Sequence, residues 1–397
     1  MKHHFKSLNS LLLTYQDLWR FEPFLQSVDE QLPWISQYPQ LCQWLYSLTY
    51  EQIDAYKVDS ESLLTAITRV LPELAAIKRN SQLEKLTLSG LNLERGVESG
   101  VPGRKLEQVI SMGEAALQQH EGQEWLEWCS GKGFLGRILA SQSEQQVTSF
   151  EFQQALCDAG QIEANKQKLP MTFIQGDALA ESAKRAMNSR QHAVALHACG
   201  DLHVSLIKKA SDAQLPAMTI SPCCYHLIEG ESYQPLSSLG QSSELTLSKA
   251  ELRIPLQETV TGGERVKRHR FEEMSFRLGL DLLLRQACGF EHYVPIPSIK
   301  KSLLADGFQS FCLWATKKKQ IELPEVDFLH FQQLGEQRYW HMERLSLVQQ
   351  VFRRSLELWL VLDKSLYIEE QGYQVDIVEF CAKEVTPRNI LICATKT

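Results

Sequence analysis

No run in this 397-residue chain is long and apolar enough to cross a bilayer. The most lipophilic stretch, SLELWLVLDKSLY, is broken by Glu357, Asp363 and Lys364. The opening MKHHFKSLNSLLL offers a run of leucines too short for the apolar region of a secretory signal. Both absences predict a cytoplasmic protein with no membrane partner. Cysteine is not dense either: 10 are scattered without the even spacing of a disulfide scaffold, which predicts reduced thiols. Nor is positive charge in excess. A net charge of -7 excludes a coat protein for nucleic acid but leaves room for a local basic groove, since phosphate affinity depends on where charges cluster. Repeats and low-complexity tracts are absent too. With 44% hydrophobic and 22% charged residues, the chain has an ordinary globular composition and the length to bury a large core.

What is present changes in texture along the chain. Residues 1–105 carry helical spacing, as in SLLTAITRVLPELAAI, with Ser60 or Ser62 as the expected cap and Trp19, Trp34 and Trp44 as core aromatics. Over 106–226 short apolar runs (EWLEWC, QVTSFEF, PMTFIQGD, HAVALHACGD, PAMTISPCC) alternate with helical stretches. That order predicts a parallel sheet with right-handed crossovers, whose ligands bind at the carboxyl ends of the strands. Residues 227–372 read as an insertion, mixed and then helical. It holds Gly262-Gly263 before the basic ERVKRHR, and a strand-like FQSFCLWAT before Lys317, Lys318 and Lys319. LELWLVLDKSLYIEEQG reads as a core helix stopped at Gly372. Residues 373–397 offer two extended runs around Thr386-Pro387-Arg388, a closing antiparallel hairpin shaped by Arg388 and Asn389.

The chemistry gathers at the predicted strand ends. In EWLEWCSGKGFLGRILA, Gly131, Gly133 and Gly136 satisfy G-x-G-x-x-G, and glycines let a backbone approach a ligand closely. Glu151 ends the next strand, where a carboxylate accepts both ribose hydroxyls; Asp177 ends the third, within reach of an adenine amine. Glu127 precedes the turn, giving E-x-C-x-G-x-G. This is similar to the E/D-x-G-x-G-x-G turn of S-adenosylmethionine-dependent methyltransferases, with Cys129 in place of the first glycine. A carboxylate beside the turn repels a dinucleotide's phosphates but tolerates a sulfonium, which disfavours NAD.

HACGDLH (197–203) and SPCCYH (221–226) follow the fourth and fifth strands. Together with GRKLEQV (103–109), CSGKGFLG (129–136), LHACGDL (196–202), CCYHLI (223–228), LDKSLYIEEQG (362–372) and VTPRNILICATK (385–396), they carry a resemblance over nearly the full chain. The chain resembles the methyltransferase-like family described as ribosomal RNA adenine dimethylase domain-containing. It is more distantly similar to tRNA 2'-O-methyltransferases with L-C-G and C-C-H-H signatures. The resemblance implies that Gly131, Gly133, Glu151 and Asp177, joined by Glu127 and Cys199, hold S-adenosylmethionine, with Arg104 and Lys105 near the entrance. It places His197, Asp201, Cys223, Cys224, Tyr225 and His226 in the reaction pocket. HACG stands where amine-methylating enzymes carry an N/D-P-P-Y/F loop, which leaves the acceptor atom open.

A ribose hydroxyl as acceptor needs a base, for which His197, Asp201 and His226 are candidates. A ring amine needs stacking, for which Tyr225 is suited. A covalent adduct on Cys223 or Cys224 needs a lowered thiol pKa. Three thiols and two imidazoles also form a zinc donor set. However, adjacent Cys223 and Cys224 on an extended chain point to opposite sides, and these stretches hold no C-x-x-C pair, so no metal is expected and the thiols pack around the cofactor. His203 reads as a surface residue at a helix start. Arg265, Lys267, Arg268 and Arg270 read either as phosphate contacts or as a solvated helix face.

The expected fold is α/β: a Rossmann-like class I methyltransferase sheet with an N-terminal helical region and a large insertion before the closing hairpin. The expected function is S-adenosylmethionine-dependent methylation of RNA, either tRNA or rRNA. The rivals are a methyltransferase of protein or small molecules, and a non-catalytic cofactor- or RNA-binding protein.

Overall fold

Among the described residues, eight strands form one sheet in the order β1-β7-β8-β6-β5-β2-β3-β4. They are β1 (Glu84–Lys85), β2 (Glu124–Trp128), β3 (Val147–Glu151), β4 (Met171–Gln175), β5 (Gln191–Ala195), β6 (Ala217–Ile220), β7 (Tyr373–Glu379) and β8 (Ile390–Lys396). The structure is a computed structural model describing residues 1–257 and 263–397; Gly262 lies outside the described residues, as does the side chain of Arg104. Every neighbouring pair is parallel except those made by β8, which runs antiparallel to both β6 and β7. This is the Rossmann-like class I arrangement, closed by the expected hairpin, in which Asn389 donates its side-chain N–H to the Cys381 carbonyl at 2.9 Å.

Burial explains the central strands. QHAVA of β5 and AMTI of β6 are buried at every position, as parallel strands covered on both faces must be. Trp125, Leu135, Ile138, Leu139, Val147, Ala164 and Val194 share one core between sheet and helices. Helices Gly103–Gln118, Phe134–Ser143, Gln154–Lys166 and Asp201–Asp212 supply the crossovers and cover. Helix Arg353–Glu370 is buried along almost its whole length, and Gly372 follows it at φ 86°.

The chain divides into two units that interleave in sequence. The first comprises Met1–Thr14, Arg79–Val260 and Arg353–Thr397; the second comprises Tyr15–Lys78 and Thr261–Phe352. The sheet belongs to the first. There the N-terminal helix Lys2–Thr14 lies on helix Arg353–Glu370, with the Phe5 and Trp359 rings 5.4 Å apart.

The described part of the second unit is helical. Helices Glu264–Cys288 and Phe328–Gln350 cross at glycines: a Cβ on Gly335 would stand 2.8 Å from Gly279 Cα. Beside the crossing, buried Arg338 pairs with Asp281 at 2.7 Å. Trp19 and Trp34 are buried here and Trp44 is half-buried.

Two local expectations are corrected. FQSFCLWAT lies in helix Gly307–Lys319, because Phe308, Phe311, Cys312 and Ala315 are its buried face at helical spacing. The helix Ser60–Val70 is capped by Asp59 rather than by Ser60 or Ser62; its carboxylate accepts the N–H groups of Glu61 and Ser62 at 3.1 and 2.9 Å.

Candidate active site

Because β4, β3, β2, β5 and β6 are successive parallel neighbours, their carboxyl ends lie side by side. That edge carries Asp177, Glu151, the 129–133 turn, 197–201 and 221–226 in spatial order. Glu151 ties two of these ends together. Its Oε2 accepts the Gly131 N–H at 2.9 Å, and its Oε1 accepts the Gln153 N–H at 2.9 Å. A carboxylate offers about four lone-pair sites, so acceptor capacity remains for further donors. Asp177 is exposed beside it, with one oxygen taken by the Leu179 N–H at 2.9 Å.

The three glycines have different tasks. A Cβ on Gly131 would meet nothing within 4 Å, so this residue, at φ 59°, faces open volume. A Cβ on Gly136 would strike the Glu127 carboxylate and stand 2.7 Å from Met171 Cε; one on Gly133 would strike the Phe173 ring. Of the three, only Gly131 borders open space; the other two are small because the protein packs there. Cys129 also sits in the left-handed region, at φ 55°, a conformation that suits glycine better.

Glu127, expected among the cofactor contacts, is enclosed, with 4% of its surface exposed. It accepts the Ser149 hydroxyl at 2.7 Å and braces the start of helix Phe134–Ser143. Burial pushes its pKa up from 4.5 to about 7, against the Ser149 hydroxyl, the Gly136 and Leu135 amides and the Arg137 charge. The folded chain therefore holds a proton that the unfolded chain releases. This contribution to stability is full below pH 4.5 and is lost as pH rises through about 7. Glu127→Gln is expected to remove a stability decline of roughly 3 kcal/mol across that window, measured by urea unfolding at both ends. Parallel profiles for the two proteins would show that Glu127 does not titrate there.

The thiol- and imidazole-rich rim is next to this turn. Burial pushes the Cys129 thiol up to about 12, with Glu151, Cys199 and Asp177 adding to it, so Cys129 lies within electrostatic reach of both strand-end acids and the rim. Cys199 and Cys223 pair as a parallel bridge, with sulfur atoms 3.6 Å apart. Cys224 stands at φ 48°, so the chain there is not extended and Cys223 and Cys224 do not point apart; both thiols join Cys199. The hydrogen bond from Cys223 pulls the Cys224 thiol down to about 6, while its bonds to the other two thiols push Cys223 up.

His197 is reached by solvent but crowded by protein, and burial together with Lys105 lowers its pKa to about 4. It is a neutral imidazole at neutral pH. His226 is half-buried, its Nδ1 has no partner, and burial, then Arg253 and Lys249, lowers its pKa. Asp201 opens helix Asp201–Asp212, where its carboxylate accepts the Glu229 N–H at 2.8 Å and holds the following loop.

Two expectations fail on burial. Tyr225 is 2% exposed, its ring beneath the Lys364 ammonium at 5.4 Å and its hydroxyl 3.3 Å from Glu357, so it offers no face to a flipped base. His203 is also buried, its Nδ1 bonded to the Ala198 carbonyl at 2.9 Å, because that face of its helix packs inward. Conversely, Phe152 and Leu179, which the sequence reading passed over, stand exposed beside Glu151 and Asp177. They offer apolar surfaces to an aromatic base. A large apolar residue one or two positions after each strand-end acid was the available signal.

Residues 104–231 match the family described as "Methyltransferase domain". Among solved structures, the tRNA (uracil-54, C5)-methyltransferase of Pyrococcus abyssi aligns at 17% identity and a TM-score of 0.25, covering 28% of this chain and 28% of that one. An O-methyltransferase family protein of Burkholderia thailandensis aligns at 9% identity and a TM-score of 0.28, covering 88% and 74%. The 23S rRNA methyltransferase ErmE aligns at 15% identity and a TM-score of 0.22, covering 59% and 96%. The matched residues 104–231 contain strands β2 to β6 of the Rossmann-like sheet, and the chain spans about a quarter of the length of the Pyrococcus abyssi enzyme.

Proposed function

We propose that the chain is an S-adenosylmethionine-dependent methyltransferase acting on RNA, tRNA or rRNA. The observation that carries the cofactor reading is the Gly131–Glu151 bond: it joins two strand ends around open volume. In this reading Gly131 lets the cofactor close to the backbone, Glu151 receives the ribose hydroxyls, Asp177 the adenine amine, and Phe152 and Leu179 flank the base. The bound sulfonium supplies an electrophilic methyl group. The protein's part is to align an acceptor with it and to take a proton, since alignment lowers much of the barrier to such a displacement.

For the proton, the neutral His197 imidazole is the accessible acceptor on the rim. Asp201 is engaged with the 227–229 loop, and His226 is the alternative. With Tyr225 buried, a stacking slot built on that ring drops out, which favours an acceptor that must lose a proton, such as a ribose hydroxyl. RNA is supported by the resemblance at the rim motifs and by the exposed Arg265, Lys267, Arg268 and Arg270 on one helix of the second unit. Glu264 and Glu272 offset part of that charge, at 2.9 Å from Lys267 and 3.8 Å from Arg268.

The test is methyl-labelled S-adenosylmethionine offered with fractionated RNA, protein and small molecules. Label is expected in RNA, ribonuclease-sensitive and declining with added salt. Label only in protein or small molecules would overturn the substrate, and cofactor binding without transfer to any fraction would overturn turnover.

A further inference from the structure

The sulfur atoms of Cys199, Cys223 and Cys224 all lie within 4.8 Å of one another, and Cys199 Sγ is 3.6 Å from Cys223 Sγ. Two thiolates on a tetrahedral zinc, with Zn–S near 2.3 Å, stand about 3.8 Å apart. The Cys199–Cys223 separation is thus close to that of two thiolates on one ion. It is far longer than a disulfide bond of about 2.05 Å, and a disulfide would leave the third thiol without a role.

The backbone assembles this cluster at some cost. Cys199 and Cys223 face each other as a parallel bridge beyond the ends of β5 and β6, and the Gly200 N–H donates to the Cys223 carbonyl at 3.0 Å. Gly200 has no room for a side chain there: a Cβ would collide with the Leu227 carbonyl. Cys224 adopts φ 48°, a left-handed conformation that costs a non-glycine residue about 1–2 kcal/mol. That turn brings its thiol to the other two, whereas an extended chain would carry it away. Strain of this kind gathers at ligand clamps.

We propose that Cys199, Cys223 and Cys224 bind one zinc ion as thiolates, with a fourth coordination position left to water or to a substrate atom. Thiolate donors select zinc over magnesium or calcium, which prefer oxygen. The half-exposed Cys199 and Cys224 leave a solvent side for the fourth ligand. Binding forms three S–Zn bonds; any proton still carried by a thiol goes to solvent, and no electron is transferred. The ion cross-links the ends of β5 and β6. The site stands independently of methyl transfer, since the three thiols converge without a bound cofactor.

The experiment uses the full chain purified in a non-thiol reductant, equilibrated with excess zinc, desalted, and assayed for metal by atomic emission. About one zinc per chain is expected. Cobalt in its place is expected to give a thiolate-to-cobalt charge-transfer band in the near ultraviolet. Cys199→Ser and Cys224→Ser should each weaken that band and lower metal retention, and a chelator should lower the melting temperature of the wild-type protein only. No retained zinc while the thiols remain reduced would overturn the site, as would full retention in every single-serine variant including Cys223→Ser. If a variant does not fold, the wild-type metal count and cobalt band decide alone. Calorimetry with S-adenosylmethionine on the same preparation separates failure of this site from failure of the cofactor reading.

Discussion

Arginine at position 131 is expected to abolish cofactor binding while leaving the chain folded. Gly131 is the member of the glycine turn whose missing side chain faces open volume rather than protein. An arginine there extends into the space bounded by the turn, Glu151 and Asp177. It also brings a positive charge to the place proposed for the sulfonium. The fold loses little, since the residue 131 N–H can still donate to Glu151, and a left-handed arginine costs about 1 kcal/mol. Affinity for S-adenosylmethionine measured by calorimetry should fall at least about a thousandfold, roughly 4 kcal/mol. Gly131→Ala places only a methyl group in the same volume and should lose far less. Gly136→Ala should behave the opposite way, losing thermal stability through collision with the Glu127 carboxylate before any loss that can be assigned to a ligand. Unchanged affinity in Gly131→Arg would remove the turn from the cofactor site.

How far the sequence could be read depended on how local each cause was. The alternation over 106–226 was legible because each strand and its following turn lie within a few residues, and in a parallel sheet every carboxyl end reaches the same edge. Glu151 and Asp177 could therefore be placed from order alone. Tyr225 could not, because its burial is decided by helix Arg353–Glu370, whose Glu357 lies 132 positions further on. FQSFCLWAT is too short an apolar run to separate strand from helix by its texture; what decides is the packing of Phe308 and Phe311 against Phe276, again a distant partner. The convergence of the three thiols was hidden by a single dihedral. Nothing in the pair Cys223-Cys224 announces that the second residue is left-handed, and with ordinary extended geometry the opposite conclusion follows. The discontinuous unit is invisible for a related reason: Met1–Thr14 belongs with Trp359 through ring packing and through the Trp359 Nε1–H donated to Asn9 at 2.9 Å.

The helix that buries Tyr225 also carries the largest expected loss of stability. Asp363 has no exposed surface and accepts four hydrogen bonds: from the Tyr233 hydroxyl at 2.7 Å, the Leu236 N–H at 2.8 Å, the Ser237 N–H at 3.0 Å and the Ser237 hydroxyl at 2.6 Å. Its neighbour Lys364 is buried as well, donating to the Tyr233 hydroxyl and to the Leu360 carbonyl, both at 3.1 Å. Burial lowers the Lys364 pKa to about 8, with Asp363 and then Asp201 holding it up. Removing the carboxylate in Asp363→Ala leaves four donors facing a cavity and a buried ammonium without its nearest counter-charge. Each stranded buried donor costs about 1–3 kcal/mol, and the loss of the Asp363 charge that favours the buried ammonium adds to this. Partial relaxation and water entry reduce the sum, so a loss of about 5 kcal/mol is expected by urea unfolding. Asp363→Asn keeps one acceptor oxygen and should fall between the two. With Asp363 gone the Lys364 ammonium also has less to hold its proton, so the alanine variant should regain part of its deficit as pH rises through the lysine's lowered range. A deficit below about 2 kcal/mol with no such recovery would mean that water replaces the carboxylate and that the 233–237 turn does not depend on it.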